Sequence, residues 1–197
     1  MSKQTESFYN RFSIFYPLID LFLRPQKQLL LNKINQLPYG QLLDVGVGNG
    51  AHLSQYKTHK ITGIDTSLKM LEIARKRKGS NVVLLKMNGE ALSFQEESFD
   101  YVVLSHVLAV VDNPEKLLEE ACRVLKPSGR LYILNHFTPD NWLKWVDRSF
   151  ESFSALFHFK SVFYTNSLSK TEKLTLLHEV NAGLFSYFKI LIYEKKL

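Results

Sequence analysis

Between Leu42 and Gly50 the chain reads Leu-Leu-Asp-Val-Gly-Val-Gly-Asn-Gly. A short apolar run carries a carboxylate, Asp44, and glycines then recur at every second position, Gly46, Gly48 and Gly50. A buried strand that turns sharply into a loop free of side chains accounts for both halves of this pattern. Bare backbone N–H groups can then approach a ligand at the carboxyl end of the strand. The polar stretch behind the glycines predicts a helix over residues 51–57. Strand, loop and helix in that order form a unit suited to nucleotide-like ligands.

The same rhythm continues downstream. Apolar runs predict strands over residues 42–45, 61–65, 82–87, 101–105 and 130–135, with helices over 67–78 and 114–125 between them. Alternation of this kind predicts an α/β fold: a doubly wound, Rossmann-like, mostly parallel sheet with helices on both faces. Pro127-Ser128-Gly129 reads as a tight turn before the fifth strand. After Phe137 the pattern changes to one irregular helix over 141–157, then strands over 174–180 and 184–194. Asn181-Ala182-Gly183 between those strands predicts an antiparallel C-terminal hairpin. Ahead of the core, Phe8, Phe12, Phe15, Ile19, Phe22 and Leu23 have roughly helical spacing, which Pro17 and Pro25 are expected to break into pieces. This lead segment reads as a lid helix, or as one that also dips into a membrane interface. At 197 residues the chain suits one domain: a lid over 1–38, a core over 39–137 and a substrate-side region over 138–197.

Net charge is +6 and the isoelectric point about 9.3, which favours phosphates, an anionic membrane surface or nucleic acid. The aromatics are not interleaved with Lys and Arg along a strand, so no nucleic acid is expected as a partner. A lone Cys122 excludes an internal disulfide and fits a reducing compartment. The polar first eleven residues do not resemble a signal peptide, and no run approaches the ~18–20 apolar residues needed to cross a bilayer. A cytoplasmic protein is expected, attached at most peripherally to the inner membrane face. No Cys and His set has zinc spacing, so no metal is implied.

Gly46, Gly48 and Ala51 also satisfy a dinucleotide fingerprint, so the glycines alone leave two ligand classes open. Asp44 separates them: that fingerprint has no use for a buried carboxylate there, whereas an α-amino group does. Later strand ends add Asp65, able to accept both ribose hydroxyls, and Asn88-Gly89-Glu90, able to read an adenine edge. Ser105-His106 closes the fourth strand beside the same crevice. This ordered set, over residues 40–137, resembles the class I S-adenosylmethionine-dependent methyltransferases. The resemblance implies S-adenosylmethionine as cofactor and S-adenosylhomocysteine as product. It places Gly46, Gly48 and Gly50 against the methionine moiety and Asp65, with Thr66 beside it, at the ribose. Asn88, Gly89 and Glu90 fall at the adenine, Met70 on its ring face, and Ser105 next to the donor.

Three further segments narrow the likeness. Phe8-Tyr9-Asn10-Arg11-Phe12-Ser13-Ile14-Phe15-Tyr16 is similar to the two-tyrosine lead of quinone and phospholipid methyltransferases. Leu108-Ala109-Val110-Val111-Asp112-Asn113-Pro114 and Asn135-His136-Phe137 resemble segments of bacterial phosphatidylethanolamine N-methyltransferases. By this likeness the acceptor is an aminophospholipid, and Tyr9 and Tyr16 cover the donor. An attacking amine must be neutral, so a group must accept its proton; His136 is the first candidate and His106 the second. Positioning alone can supply effective molarities of ~10⁵ M or more. Lys144, Arg148 and Lys160 are candidates for the lipid phosphate, and Arg75-Lys76-Arg77-Lys78 suits a helix C-terminus and then an anionic surface. Soluble small-molecule or quinone methylation, and a non-catalytic nucleotide-binding module, are the competing readings.

Overall fold

The computed structural model describes residues 16–137, 173–183 and 188–197, with side chains from residue 23 onward. Seven strands form one sheet: β1 (Gln41–Val45), β2 (Lys60–Asp65), β3 (Val82–Lys86), β4 (Phe99–Ser105), β5 (Leu125–His136), β6 (Leu174–Asn181) and β7 (Phe188–Lys195). Their spatial order is β3-β2-β1-β4-β5-β7-β6. β1 to β5 pair in parallel, while β7 runs antiparallel to both β5 and β6. Strand order reverses between β1 and β4, which opens a crevice beyond their carboxyl ends.

Strands covered on both sides need apolar residues on both sides, and this is why the central runs are nearly continuous in sequence. On one face Leu42, Ile61, Val103 and Leu134 pack with Leu30, Leu31 and Ile34 of α1 (Tyr16–Ile34) and Leu71 of α2 (Leu68–Arg75). On the other, Leu43, Ile64, Val102 and Ile133 pack with Leu117 and Ala121 of α3 (Pro114–Val124). α3 starts where it does because Asn113 caps it, its side chain accepting from the Lys116 N–H, and Pro114 needs no N–H partner in the first turn. Ser67 caps α2 in the same way.

Three local expectations are corrected. Residues 51–57 hold no α-helix, only the 3-10 turn Leu53–Gln55. His52 and Tyr56 are both drawn to Asp44, and β2 begins soon after at Lys60. Pro25 lies inside a continuous α1 rather than ending it; the packed Leu30, Leu31 and Ile34 offset its missing N–H, while Pro17 falls in the first turn, where none is required. Pro127-Ser128-Gly129 lies within β5 as a local irregularity: Phe99 pairs with Leu125, then Tyr101 with Arg130. Asp100, opposite the excursion, binds Lys126 at 2.8 Å, and Ser128 adopts φ 59°. The expected hairpin pairs β6 with β7 from Phe188 onward and is closed by an Ala182 N–H bond to the Phe188 carbonyl; residues 184–187 lie outside the described residues. Tyr9, the helix expected over 141–157, and Lys144, Arg148 and Lys160 lie outside the described residues, as does the Tyr16 side chain.

Candidate active site

The glycine loop folds back on β2, with the Gly46 N–H donating to the Ile64 carbonyl at 2.8 Å. Gly46 and Gly50 have φ of 76° and 68°, a region that side chains resist. A Cβ on Gly50 would lie 2.7 Å from that of Ala74, so the loop sits directly on α2. Gly48, also at positive φ, donates its N–H to Asp65 Oδ2 at 2.8 Å, and the Ser67 N–H reaches Asp65 Oδ1 at 2.8 Å. Burial pushes the Asp65 carboxyl above its ordinary value, and the backbone N–H groups of Ser67, Gly48 and Thr66 only partly offset this. Glycine loop and strand-end carboxylate therefore form one hydrogen-bonded unit.

Asp44 is 1% exposed, and one of its oxygens takes two side-chain partners. The Tyr56 hydroxyl donates to Oδ2 at 2.9 Å, and His52 Nε2 lies 2.7 Å from the same atom. Burial, then the charge of Asp44, pushes the Tyr56 hydroxyl well up, so it remains a protonated donor. Neither His52 nor Tyr56 stands out in the sequence. Their spacing from Asp44 fits no helical or strand template, and only the turn through the glycines brings them back. In front of them lies a narrow cleft under α1, lined by Lys27, Leu30, Leu31, His52, Tyr56 and Ser105. The Ser105 hydroxyl is buried and has no hydrogen-bond partner.

On the other side of β1, Asn88 turns the chain by accepting from the Glu90 N–H at 3.1 Å. Glu90 Oε1 accepts from the N–H groups of Asp112 and Asn113 at 2.9 and 3.1 Å, tying this turn to the start of α3. A Cβ on Gly89 would meet Leu117 and Val45 at 2.8 Å. The following loop is clamped by α3: the Leu92 N–H donates to Glu120 Oε2, and Arg123 donates to the carbonyls of Leu92 and Phe94, each at 2.8 Å. The Arg123 guanidinium, against an opposing effect of burial, holds the Glu120 carboxyl below its ordinary value. Met70 is buried in the first turn of α2.

At the β4 and β5 ends, His106 has φ 58°, donates its N–H to the Leu134 carbonyl at 2.7 Å, and meets Phe188 edge-on at 5.7 Å. His136 ends β5 opposite Phe188 and is 4% exposed. By strand alternation it shares the α1 face with Leu134. Asn135 is 1% exposed and points to the other face; its amide donates to the His136 carbonyl, while its oxygen is unpartnered. Strand pairing thus brings Ser105, His106 and His136 together beside the crevice. Among the described residues no group of His, Cys, Asp and Glu is arranged to hold a metal.

This crevice suits S-adenosylmethionine: glycines whose added Cβ atoms would clash, a buried and a half-buried carboxylate at neighbouring strand ends, and a buried hydroxyl lacking a partner. Residues 43–133 match the family described as a methyltransferase domain. A phosphatidylethanolamine N-methyltransferase from Cereibacter sphaeroides is 32% identical over 161 residues, 76% of this chain and 79% of that protein. A demethylmenaquinone methyltransferase from Tropheryma whipplei (strain Twist) is 39% identical over 103 residues, 50% of this chain and 43% of its own length. A solved S-adenosylmethionine-dependent methyltransferase from Thermotoga maritima superposes with a TM-score of 0.73 and 26% identity, covering 96% of this chain and 99% of that one. The dinucleotide reading of the glycines gives way to the methyl donor: the chain belongs to the class I S-adenosylmethionine-dependent methyltransferases.

Proposed function

We propose that the chain N-methylates the amine headgroup of phosphatidylethanolamine or a related aminophospholipid at a membrane surface. The observation carrying this reading is the 32% identity to a phosphatidylethanolamine N-methyltransferase across 79% of that protein's length. The segments 108–114 and Asn135-His136-Phe137 add to it. Bound S-adenosylmethionine supplies an electrophilic methyl group on a sulfonium. The chain's part is to hold that donor: Gly46, Gly48 and Gly50 along its methionine end, Asp65 and Thr66 at the ribose, Asn88 and Gly89 at the adenine. Glu90 acts there by fixing the turn, since its carboxylate is engaged with the start of α3. His136 and His106 border the acceptor side, where a lone pair must be freed on nitrogen; His136 takes the proton directly or through water. Tyr9 and Tyr16 belong to the lid over the donor.

No helix among the described residues is long and apolar enough to cross a membrane. The proposed contact with lipid is at the surface, and the cationic excess supports it. Similarity to a demethylmenaquinone methyltransferase supports a second reading, methyl transfer to a quinol ring. One assay separates them. The protein is incubated with methyl-labelled donor and vesicles containing either phosphatidylethanolamine or demethylmenaquinol, and the extracts are resolved. Label in methylated ethanolamine lipids is expected. Label only in the quinol, or only in aqueous products, overturns the phospholipid reading.

A further inference from the structure

We propose that Lys27 of α1, together with His52 held by Asp44, reads the charged amino-acid end of the methyl donor; this rests on the donor placement above. The sequence pattern offers Asp44 itself to the donor's α-amino group. Its Oδ2 instead carries both the Tyr56 hydroxyl and His52 Nε2, and the residue is 1% exposed. The polar residues that line the cleft in front of it, beside the apolar Leu30, Leu31 and Val103, are His52, Tyr56, Ser105 and Lys27.

The chemistry of these groups matches a zwitterion. A carboxylate only accepts, so the short contact requires the proton on His52 Nε2. The other ring nitrogen of a neutral His52 is then an acceptor, suited to an ammonium N–H and backed by the negative charge of Asp44. Lys27, on the α1 side of the cleft, supplies the ammonium for the donor's carboxylate. The buried Ser105 hydroxyl gains the partner it lacks. Opposite charges on one cleft thus meet opposite charges on one ligand, and α1 becomes a binding element as well as a cover.

Two ligands that differ only at this end test the assignment: S-adenosylhomocysteine, and 5′-methylthioadenosine, which lacks the amino acid. Calorimetric titration of the wild type is expected to show tighter binding of the first, a preference that shrinks as salt is raised. Lys27→Met, which keeps the apolar stem, and His52→Gln are expected to weaken S-adenosylhomocysteine about tenfold or more, near 1.4 kcal/mol. Binding of 5′-methylthioadenosine should change less than about twofold, and Lys27→Arg should retain most of the preference. Equal binding of both ligands by the wild type overturns the proposal, as does equal loss for both in the variants or no loss for either. A wild type that binds neither ligand overturns the donor placement itself, and this assignment with it.

Discussion

Asp44 is a buried carboxylate and Asp65 a half-buried one, and they are satisfied in opposite ways. Side chains hold Asp44, whereas backbone N–H groups hold Asp65, which remains above its ordinary carboxyl value because burial prevails. A carboxyl raised in the folded state favours folding below its unfolded value, near 3.8, and loses that contribution as pH rises through the folded value. At neutral pH the Asp65 charge therefore opposes folding, which fits a group kept for a ligand. Two results follow. S-adenosylhomocysteine affinity, titrated across pH, should fall on acidification with a midpoint above that of an ordinary aspartate; a flat profile would remove Asp65 from the ribose. Asp65→Ala should cost about 1.5–3 kcal/mol of binding by calorimetry, typical of hydrogen bonds to a charged group. Gly50→Ala tests the loop: positive φ and the Ala74 contact should cost about 1–3 kcal/mol in urea unfolding. Glycines and Asp65 are legible in the sequence because each ends a strand in a fixed order. His52 and Tyr56 are not, since their approach to Asp44 depends on a non-periodic turn.

Among elements, α3 contributes more than packing. Arg123 and Glu120 fasten the loop after Asn88, and the guanidinium keeps the Glu120 carboxyl below its ordinary value. A lowered carboxyl stabilises the fold above its unfolded value and loses that contribution as pH falls through the folded value. Arg123→Ala should lower stability at pH 7 by about 1–3 kcal/mol in urea, since two carbonyls and a carboxylate lose their donor. The gap to wild type should narrow on acidification; a constant gap would show that Glu120 plays no part. The strands were legible because burial on both faces makes them apolar throughout. Residues 51–57 were not, because a polar run favours a helix only where the chain has room for one, and here it must reach Lys60 within a few residues. Pro25 misled for a related reason: a local cost was outweighed by tertiary contacts of the same helix.

Across the whole molecule, alternation of elements implied a parallel sheet and the terminal turn implied a hairpin. The insertion of β7 between β5 and β6 is set by long-range pairing, which no local pattern records. The charge of +6 gives the surface proposal its own test. Sedimentation with phosphatidylglycerol vesicles should carry the protein down at low salt and release it at high salt, whereas neutral phosphatidylcholine vesicles should not. Equal recovery with both lipids would argue against charge as the attachment. The 3-10 turn behind the glycines has a wider consequence. Without a long stack of aligned peptide units there, no helix macrodipole aims its positive pole at the coenzyme's carboxylate. On the donor placement proposed above, that duty passes to individual residues, so one codon change is expected to retune the grip on the coenzyme while the sheet beneath stays the same.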